Sequence, residues 1–185
     1  MRKLYCFADE TGQDTKGKFF LVSIVLKEQG GLDALEQKLL AIESSAKSQF
    51  LKWKKLSFET KISLLDKLSK LPELKDSIFY SVYLDSVAYT PLVSLSIAKA
   101  VLSKSEGGSI TTVTIDGLND KDREIVSHEL KKLKIRYRKI RGLKDEQSVF
   151  LRLAHVFANF LRDFEEKQKY AVETMAKLHQ IVSKV

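Results

Sequence analysis

Acidic residues stand at the ends of two separate apolar runs of this chain. Asp9 and Glu10 end the first run, and Asp116 ends the run at 109–115, which is rich in β-branched residues. If these runs are neighbouring parallel strands, Asp9 and Asp116 end side by side. Mg²⁺ and Mn²⁺ favour oxygen ligands, and two such ions about 3.5–4 Å apart can drive phosphodiester cleavage. The pair predicts a divalent-metal centre with Asp9 and Asp116 as ligands; the alternative is that each aspartate only caps a turn.

A stripe of polar side chains runs along an otherwise apolar helix that we predict from about residue 145. Its members recur at steps of three or four, which places them on one helical face. They are Asp145, Ser148, Arg152, His155, Asn159 and Arg162. The apolar coat is so wide that the helix must be largely buried. A stripe that faces a cleft would bring Asp145, Glu146 or His155 to a metal, and a stripe that faces solvent would not.

The densest basic run of the chain, 131–141, contains no acidic residue. If residues 134–139 form a strand, Lys134, Arg136 and Arg138 share one of its faces. Lysine and arginine contacts to phosphate supply most non-specific affinity for nucleic acid, so these residues are candidate contacts. The alternative is an edge strand that its charges protect against aggregation.

A second basic cluster surrounds the only tryptophan, Trp53. Lys52 and Lys54 are further candidate nucleic-acid contacts, and Arg152 of the late helix is another. For Trp53 itself, packing in the core is the favoured interpretation, and a stacking surface for a base is the alternative.

The predicted elements that must position these residues alternate along the chain after an initial hairpin. Strands are predicted at 3–8, 18–27, 77–84, 109–115 and 134–139, and helices at 32–48, 57–70, 90–104, 120–133 and from about 145 to the end, with a break near 165–169. This order predicts an α/β fold with a mixed five-stranded sheet flanked by helices. The whole chain, 1–185, is expected to form one domain, with a two-helix insertion at about 30–75 between strands 2 and 3 and C-terminal helices at about 145–185.

The totals of the chain exclude several classes of protein. Its 185 residues match one domain, and 44% apolar with 30% charged residues is typical of a soluble globular protein. The single cysteine excludes a disulfide framework and a cysteine-based zinc site. No apolar run approaches the roughly 20 residues of a membrane helix, and the start does not read as a signal peptide. The sequence therefore predicts a cytoplasmic protein that does not enter a membrane.

The net charge of +8 favours a polyanionic partner, of which nucleic acid is the commonest. A lysine-rich solvated surface is the alternative. The apolar side of the last predicted helix, which ends at Val185, packs either on the chain's own core or on a second copy in a homodimer.

Four segments stand in an order and spacing that resemble a known family. Residues 5–26 place Asp9-Glu10-Thr11-Gly12 between an apolar strand and its hairpin partner, and a Lys-Trp segment follows at 52–56. Residues 114–116 form a strand end with aspartate, and 148–158 form an apolar late helix. Together they resemble the RNase H-like family called domain of unknown function 3800, whose usual opening signature is Asp-Glu-Ser-Gly.

The resemblance implies an RNase H-like fold and a divalent-metal-dependent nuclease that hydrolyses phosphodiester bonds of DNA or RNA by an RNase H-like two-metal mechanism. Asp9, Asp116 and an acid of the late helix would form its site. The chain departs from the family at that acid, because His155 stands where an aspartate is expected. Some RNase H-like nucleases place a histidine there. His155 equally marks a degenerate site that binds nucleic acid or protein without cleavage. The alternatives for the third acid, between which the sequence does not choose, are Glu10, Asp145 and Glu146.

Overall fold

The computed structural model describes residues 1–48, 52–105 and 108–185. Its strands are β1 (Arg2–Thr11), β2 (Phe20–Glu28), β3 (Ile78–Tyr83), β4 (Ser109–Asp116), β5 (Tyr137–Leu143) and β6 (Val182–Lys184). Its α-helices are α1 (Leu32–Ser45), α2 (Phe58–Ser69), α3 (Tyr89–Lys104), α4 (Asp120–Lys132), α5 (Val149–Glu165) and α6 (Lys169–Leu178).

The strands form one mixed sheet in the order β5-β4-β1-β2-β3-β6. Strand β2 is antiparallel to both β1 and β3, whereas β4 is parallel to both β1 and β5. The β1–β2 hairpin depends on Gly12, whose φ is +101° and where a Cβ would lie 2.4 Å from the Phe19 carbonyl oxygen. Only glycine adopts this backbone without strain.

Helices cover both faces of the sheet, and the alternation of β1 divides its side chains between two cores. Leu4, Cys6 and Ala8 face α3 and α4. Phe7 faces α5, where its ring stacks on Phe150 with centroids 4.7 Å apart. Helix α5 is therefore a central element, buried against the sheet on one side and against α1, α2 and α6 on others.

Helices α1 and α2 lie between β2 and β3, which confirms the predicted two-helix insertion. Ser57 caps α2, because its hydroxyl accepts a hydrogen bond from the Thr60 N–H. Residues 49–51 of the insertion lie outside the described residues. The extent of the single domain over 1–185 stays a prediction.

Among the described residues the sheet has six strands, so the prediction of five was wrong by one. Residues 182–184, predicted as helix, form β6 parallel to β3, because they pair with a strand that is distant in the sequence. The apolar residues Leu178, Ile181 and Val182 are buried in the chain's own core. The homodimer through this segment stays a prediction without support from the structure.

The predicted basic strand at 134–139 begins three residues too early. Lys134 has a φ of +57° and ends α4 in a left-handed turn, which the Ile135 N–H closes by donating to the Leu130 carbonyl. In β5 the register jumps from Tyr137 opposite Thr111 to Lys139 opposite Thr112, so Arg138 is the extra residue of a bulge. The expectation that Lys134, Arg136 and Arg138 share one strand face was therefore wrong.

The late helix begins at Val149 rather than near residue 145. Residues Asp145–Gln147 form a separate short 3₁₀ turn before it, with Lys144 and Gln147 hydrogen-bonded to each other across the turn. Within the described ranges, no helix is both long enough and apolar enough to cross a bilayer.

Candidate active site

The two strand-end aspartates lie at the same level of the sheet. Strand β1 is adjacent and parallel to β4, with Ala8 opposite Ile115, so Asp9 and Asp116 follow side by side. Because Phe7 and its alternate neighbour Asp9 lie on the α5 face, the matching register places Asp116 on that face as well. The carboxyl ends of two parallel strands thus hold two carboxylates against α5.

Asp9 is buried, and both of its carboxylate oxygens are engaged. The Glu10 N–H donates to Oδ1 at 2.8 Å, and His155 Nδ1 lies 2.8 Å from Oδ2. Burial acts to lower the pKa of His155, but the hydrogen bond to Asp9 and the charges of Asp9 and Asp145 outweigh it, so the pKa is raised. His155 therefore donates to Asp9 and holds its carboxylate in one orientation.

Asp116 and Asp145 extend the acidic cluster. Burial raises the pKa of Asp116, and the negative charges of Asp9 and then Asp145 raise it further. Asp145, in the turn before α5, is buried, and its Oδ2 lies 2.5 Å from Lys52 Nζ. Burial acts to raise the pKa of Asp145, but the hydrogen bond from Lys52 and its charge lower it overall. Asp145 is therefore held ionised beside the other two carboxylates.

Glu10 projects from the opposite face of the sheet. It lines a cavity with about 580 Å³ of open space together with Thr90, Asp116 and Asp122. Burial, followed by the charges of Asp9 and Asp116, raises the pKa of Glu10 to about 8. Gln13 donates to Oε1 at 3.2 Å, whereas within the described residues Oε2 is buried without a hydrogen-bond partner.

The polar stripe of α5 faces other parts of the protein rather than solvent. Arg152 Nε and Nη2 each donate to one oxygen of Glu43 in α1 at 2.9 Å, and Nη1 donates to the Asp145 and Glu146 carbonyls. Arg162 forms a paired contact with Asp14 in the β1–β2 turn. The stripe thus ties α5 to the insertion, to β1 and to the hairpin.

The predicted nucleic-acid contacts fall into three different settings. Lys134, Arg136 and Arg138 are exposed around the start of β5, and Lys54 is exposed in the insertion. Lys52 lies in the acidic cluster, and Glu146, with its side chain 55% exposed, is 4.0 Å from its ammonium. Arg152 is buried, so its guanidinium does not stand on the surface.

Trp53 packs in the core, which confirms the favoured interpretation of this residue. Its side chain is 2% exposed, and Nε1 donates to Asp163 Oδ2 at 3.2 Å. A ring buried to this extent does not stack on a base, so the alternative of a stacking surface was wrong.

Sequence reasoning missed two residues that surround the site. Glu43 carries the carboxylate that binds Arg152, 109 positions away along the chain. Arg141 Nε donates to Thr114 Oγ1 at 3.1 Å, two residues before Asp116. Glu43 does not stand out in the sequence, because it is one charge on an ordinary amphipathic helix, and Arg141 is the last residue of the basic run 131–141, where no feature of the sequence distinguishes it from its neighbours.

The donor set suits a hard divalent cation. The three aspartates offer only oxygen ligands, and their mutual repulsion is relieved by a bound cation. As the side chains stand, no three His, Cys, Asp or Glu groups in the described ranges converge closely enough to hold a metal ion. Lys52 holds Asp145 within this set.

Three solved structures with a similar architecture are named as ribonucleases. A chain of the PCNA:RNase HII complex from Archaeoglobus fulgidus matches with a TM-score of 0.54 and 20% identity, over 89% of this chain and 75% of that one. Ribonuclease H2 from Pyrococcus horikoshii OT3 matches with a TM-score of 0.55 and 17% identity, over 91% and 77%. The fold is RNase H-like.

Bst-RNase HIII, solved in complex with Mn²⁺, has the same fold, with a TM-score of 0.53 and 14% identity over 90% of this chain and 55% of that one. No protein-family model matches the chain, and no curated protein matches it by sequence. Membership of the domain of unknown function 3800 family therefore stays a prediction.

Proposed function

We propose that this chain is a divalent-metal-dependent nuclease that hydrolyses phosphodiester bonds of DNA or RNA. The observation that carries the proposal is the placement of Asp9, Asp116 and Asp145 together on the α5 side of an RNase H-like sheet. The fold neighbours named as ribonucleases, one of them solved with Mn²⁺, support the same reaction class.

Asp9 and Asp116 would hold the ion, Mg²⁺ or Mn²⁺, at the ends of β1 and β4. Such an ion, when bound, activates a water and polarises the phosphate. His155 and the Glu10 N–H fix the two oxygens of Asp9, so its orientation is set before a substrate arrives. Asp145 adds a third carboxylate from the turn before α5. Glu10 and Glu146 remain candidate catalytic acids next to these three aspartates.

A cationic stretch of the sheet leads toward these acids and supports nucleic acid as the partner. Lys3 and Arg138 line a shallow groove on β1, β4 and β5, and Arg141 is bound to Thr114 between that groove and Asp116. Phosphate groups are the natural counter-charges of such a stretch. The net charge of +8 is in keeping with this interface.

We also propose that the chain is a divergent member of the domain of unknown function 3800 family. The order of its four motifs supports this, together with the position of the insertion between β2 and β3. His155 stands where the family has an acid in its late helix. This difference is compatible with the proposal, because His155 contacts Asp9 directly.

A non-cleaving binding module is the second candidate function. The observation that favours it is the bond between Lys52 and Asp145, which ties up one carboxylate of the set. Such a module would bind nucleic acid through the same cationic stretch. It would show no metal-dependent cleavage.

Cleavage assays on purified protein separate the two candidates. Labelled single- and double-stranded DNA, RNA, an RNA–DNA hybrid and a branched junction are each incubated with Mg²⁺, with Mn²⁺ and with chelator. Asp9→Asn and Asp116→Asn serve as isosteric variants that remove the ligand charge. Cleavage that requires metal and is abolished in both variants is expected; normal cleavage by both variants would contradict the assignment of the site. Tight binding without cleavage of any substrate would favour the module.

A further inference from the structure

A lysine stands among the carboxylates of the candidate active site. The Lys52 ammonium lies 2.5 Å from Asp145 Oδ2 and 4.0 Å from Glu146 Oε1. Its pKa is raised, first by the hydrogen bond to Asp145 and further by the charges of Asp145, Glu146 and Asp116. Lys52 thus interacts electrostatically with Asp116 at the end of β4 as well as with Asp145, its hydrogen-bond partner.

The Lys52 ammonium supplies at Asp145 the positive charge that a second divalent cation would otherwise supply. The His155 imidazolium adds a further positive charge at Asp9, so the three aspartates together carry less uncompensated negative charge than their number gives. This reduced charge favours one bound ion over two. A second divalent cation would have to displace Lys52 from a buried carboxylate, because Asp145 is only 8% exposed.

We propose that Lys52 takes the place of a second divalent cation, so that the site binds one Mg²⁺ or Mn²⁺ at Asp9 and Asp116. A two-metal mechanism, as predicted from the sequence, needs two ions, and the position of Lys52 reduces that number to one. It rests on the proposed function, since it assigns the Lys52 ammonium to the scissile phosphate.

Lys52 is placed to reach a substrate. Its side chain is 50% exposed, and it lies at the border between the insertion and α5, where Asp145 and His155 also stand. From there its N–H groups can donate to a phosphate oxygen as well as to Asp145. In the hydrolysis a water oxygen bonds to phosphorus, one phosphorus–oxygen bond breaks, and a water proton ends on the leaving oxygen. Lys52 stabilises charge on the phosphate in this step and is not consumed.

The number of bound ions tests the inference directly. Metal-free full-length protein is titrated with Mn²⁺, and free Mn²⁺ is followed by electron paramagnetic resonance. Wild type is expected to bind one ion per chain, and Lys52→Met two, because Asp145 is then released as a ligand. Lys52→Arg, which keeps the charge, is expected to bind one. Lys55→Met removes an exposed charge from the same turn and is also expected to bind one.

Circular dichroism melts confirm that each variant is folded before the titration. Two ions in wild type, or one in Lys52→Met, would overturn the inference. Cleavage is measured separately on the substrates that wild type cuts. Removal of one preorganised donor to a developing charge typically costs about 10²–10³-fold in rate, and we expect a decrease of this size for Lys52→Met.

The two proposals fail in different ways. If wild type binds one ion and Lys52→Met binds two, but neither cleaves any substrate, the proposal that Lys52 replaces a second ion is supported and only the proposed nuclease activity is overturned. Metal-dependent cleavage with unchanged ion numbers across the variants would overturn only the inference. A wild-type chain that binds no Mn²⁺ would overturn both.

Discussion

At the scale of single residues, the contact between Asp9 and His155 does two things at once. It fixes the carboxylate that would hold a metal, and it stabilises the imidazolium form of His155. Under the proposed membership of the domain of unknown function 3800 family, His155 stands in place of an acid and orients another acid, Asp9. The position would then have changed its role without leaving the site.

The His155 contact predicts a pH-dependent part of the stability. Since Asp9 holds the pKa of His155 above its ordinary 6.5, the contact stabilises the fold fully below that value. This stabilisation disappears as the pH rises through the folded-state pKa. Urea unfolding of metal-free protein between about pH 5 and 9 should therefore show a decrease in stability that Asp9→Asn and His155→Asn both flatten. An unaltered pH profile in His155→Asn would assign the decrease to another group.

The buried pair of Arg152 and Glu43 makes a second residue-scale prediction. Both side chains are nearly buried, at 10% and 12% exposure. Glu43→Ala removes a buried carboxylate partner and is expected to lower the free energy of unfolding by about 3–5 kcal/mol. Asp120→Ala, which removes an exposed partner of Arg123, should cost no more than about 1 kcal/mol. Equal urea midpoints for the two variants would show that the Arg152 contact is not a structural anchor.

At the scale of elements, the sequence identified most of what local pattern controls. The hairpin, the insertion, α3, β4 and α4 follow from apolar periodicity, caps and turn residues. The start of β5 and the identity of β6 depend on pairing with distant strands, which periodicity does not record. In the site, Asp9 and Asp116 follow from strand ends, whereas Lys52 and Glu43 meet their partners only through the folding of the insertion.

The β1–β2 turn carries an element-scale prediction. Gly12→Ala would force a Cβ to within 2.4 Å of the Phe19 carbonyl oxygen at a left-handed φ, so we expect a decrease of more than about 1 kcal/mol in unfolding free energy. Gly30→Ala is the matched control, because nothing lies within 4 Å of its Cβ position. Its effect should stay within about 0.5 kcal/mol. Chemical denaturation of both variants measures the difference, and a similar decrease in both would contradict the role of the turn.

At the scale of the whole molecule, charge is distributed unevenly with respect to the site. The acids stand at the carboxyl ends of β1 and β4, and the cationic stretch lies along the same strands toward their starts. A polyanion bound along the cationic stretch would extend to the aspartates at the ends of β1 and β4. The net charge alone does not predict this arrangement.

Salt dependence of nucleic-acid binding tests the exposed part of this surface. Arg136→Ala with Arg138→Ala should weaken binding and reduce the slope of log K against log salt by about 1 for each phosphate that is no longer neutralised. Lys169→Ala with Lys177→Ala removes the same charge from α6 and should leave the slope unchanged. Identical slopes for the two double variants would exclude the β5 region from the interface.

The insertion joins two strands that already pair with each other. Val25 stands opposite Ile78, and the Leu26 N–H donates to the Ser77 carbonyl, so the sheet is continuous on both sides of the junction. Asp9 and Asp116 are thus encoded on a different part of the chain from Lys52. In an evolving lineage, residues 29–76 can be lengthened, shortened or recharged while the sheet that carries Asp9 and Asp116 is inherited intact. Under the proposed function, the ion requirement would then diverge faster than the reaction itself.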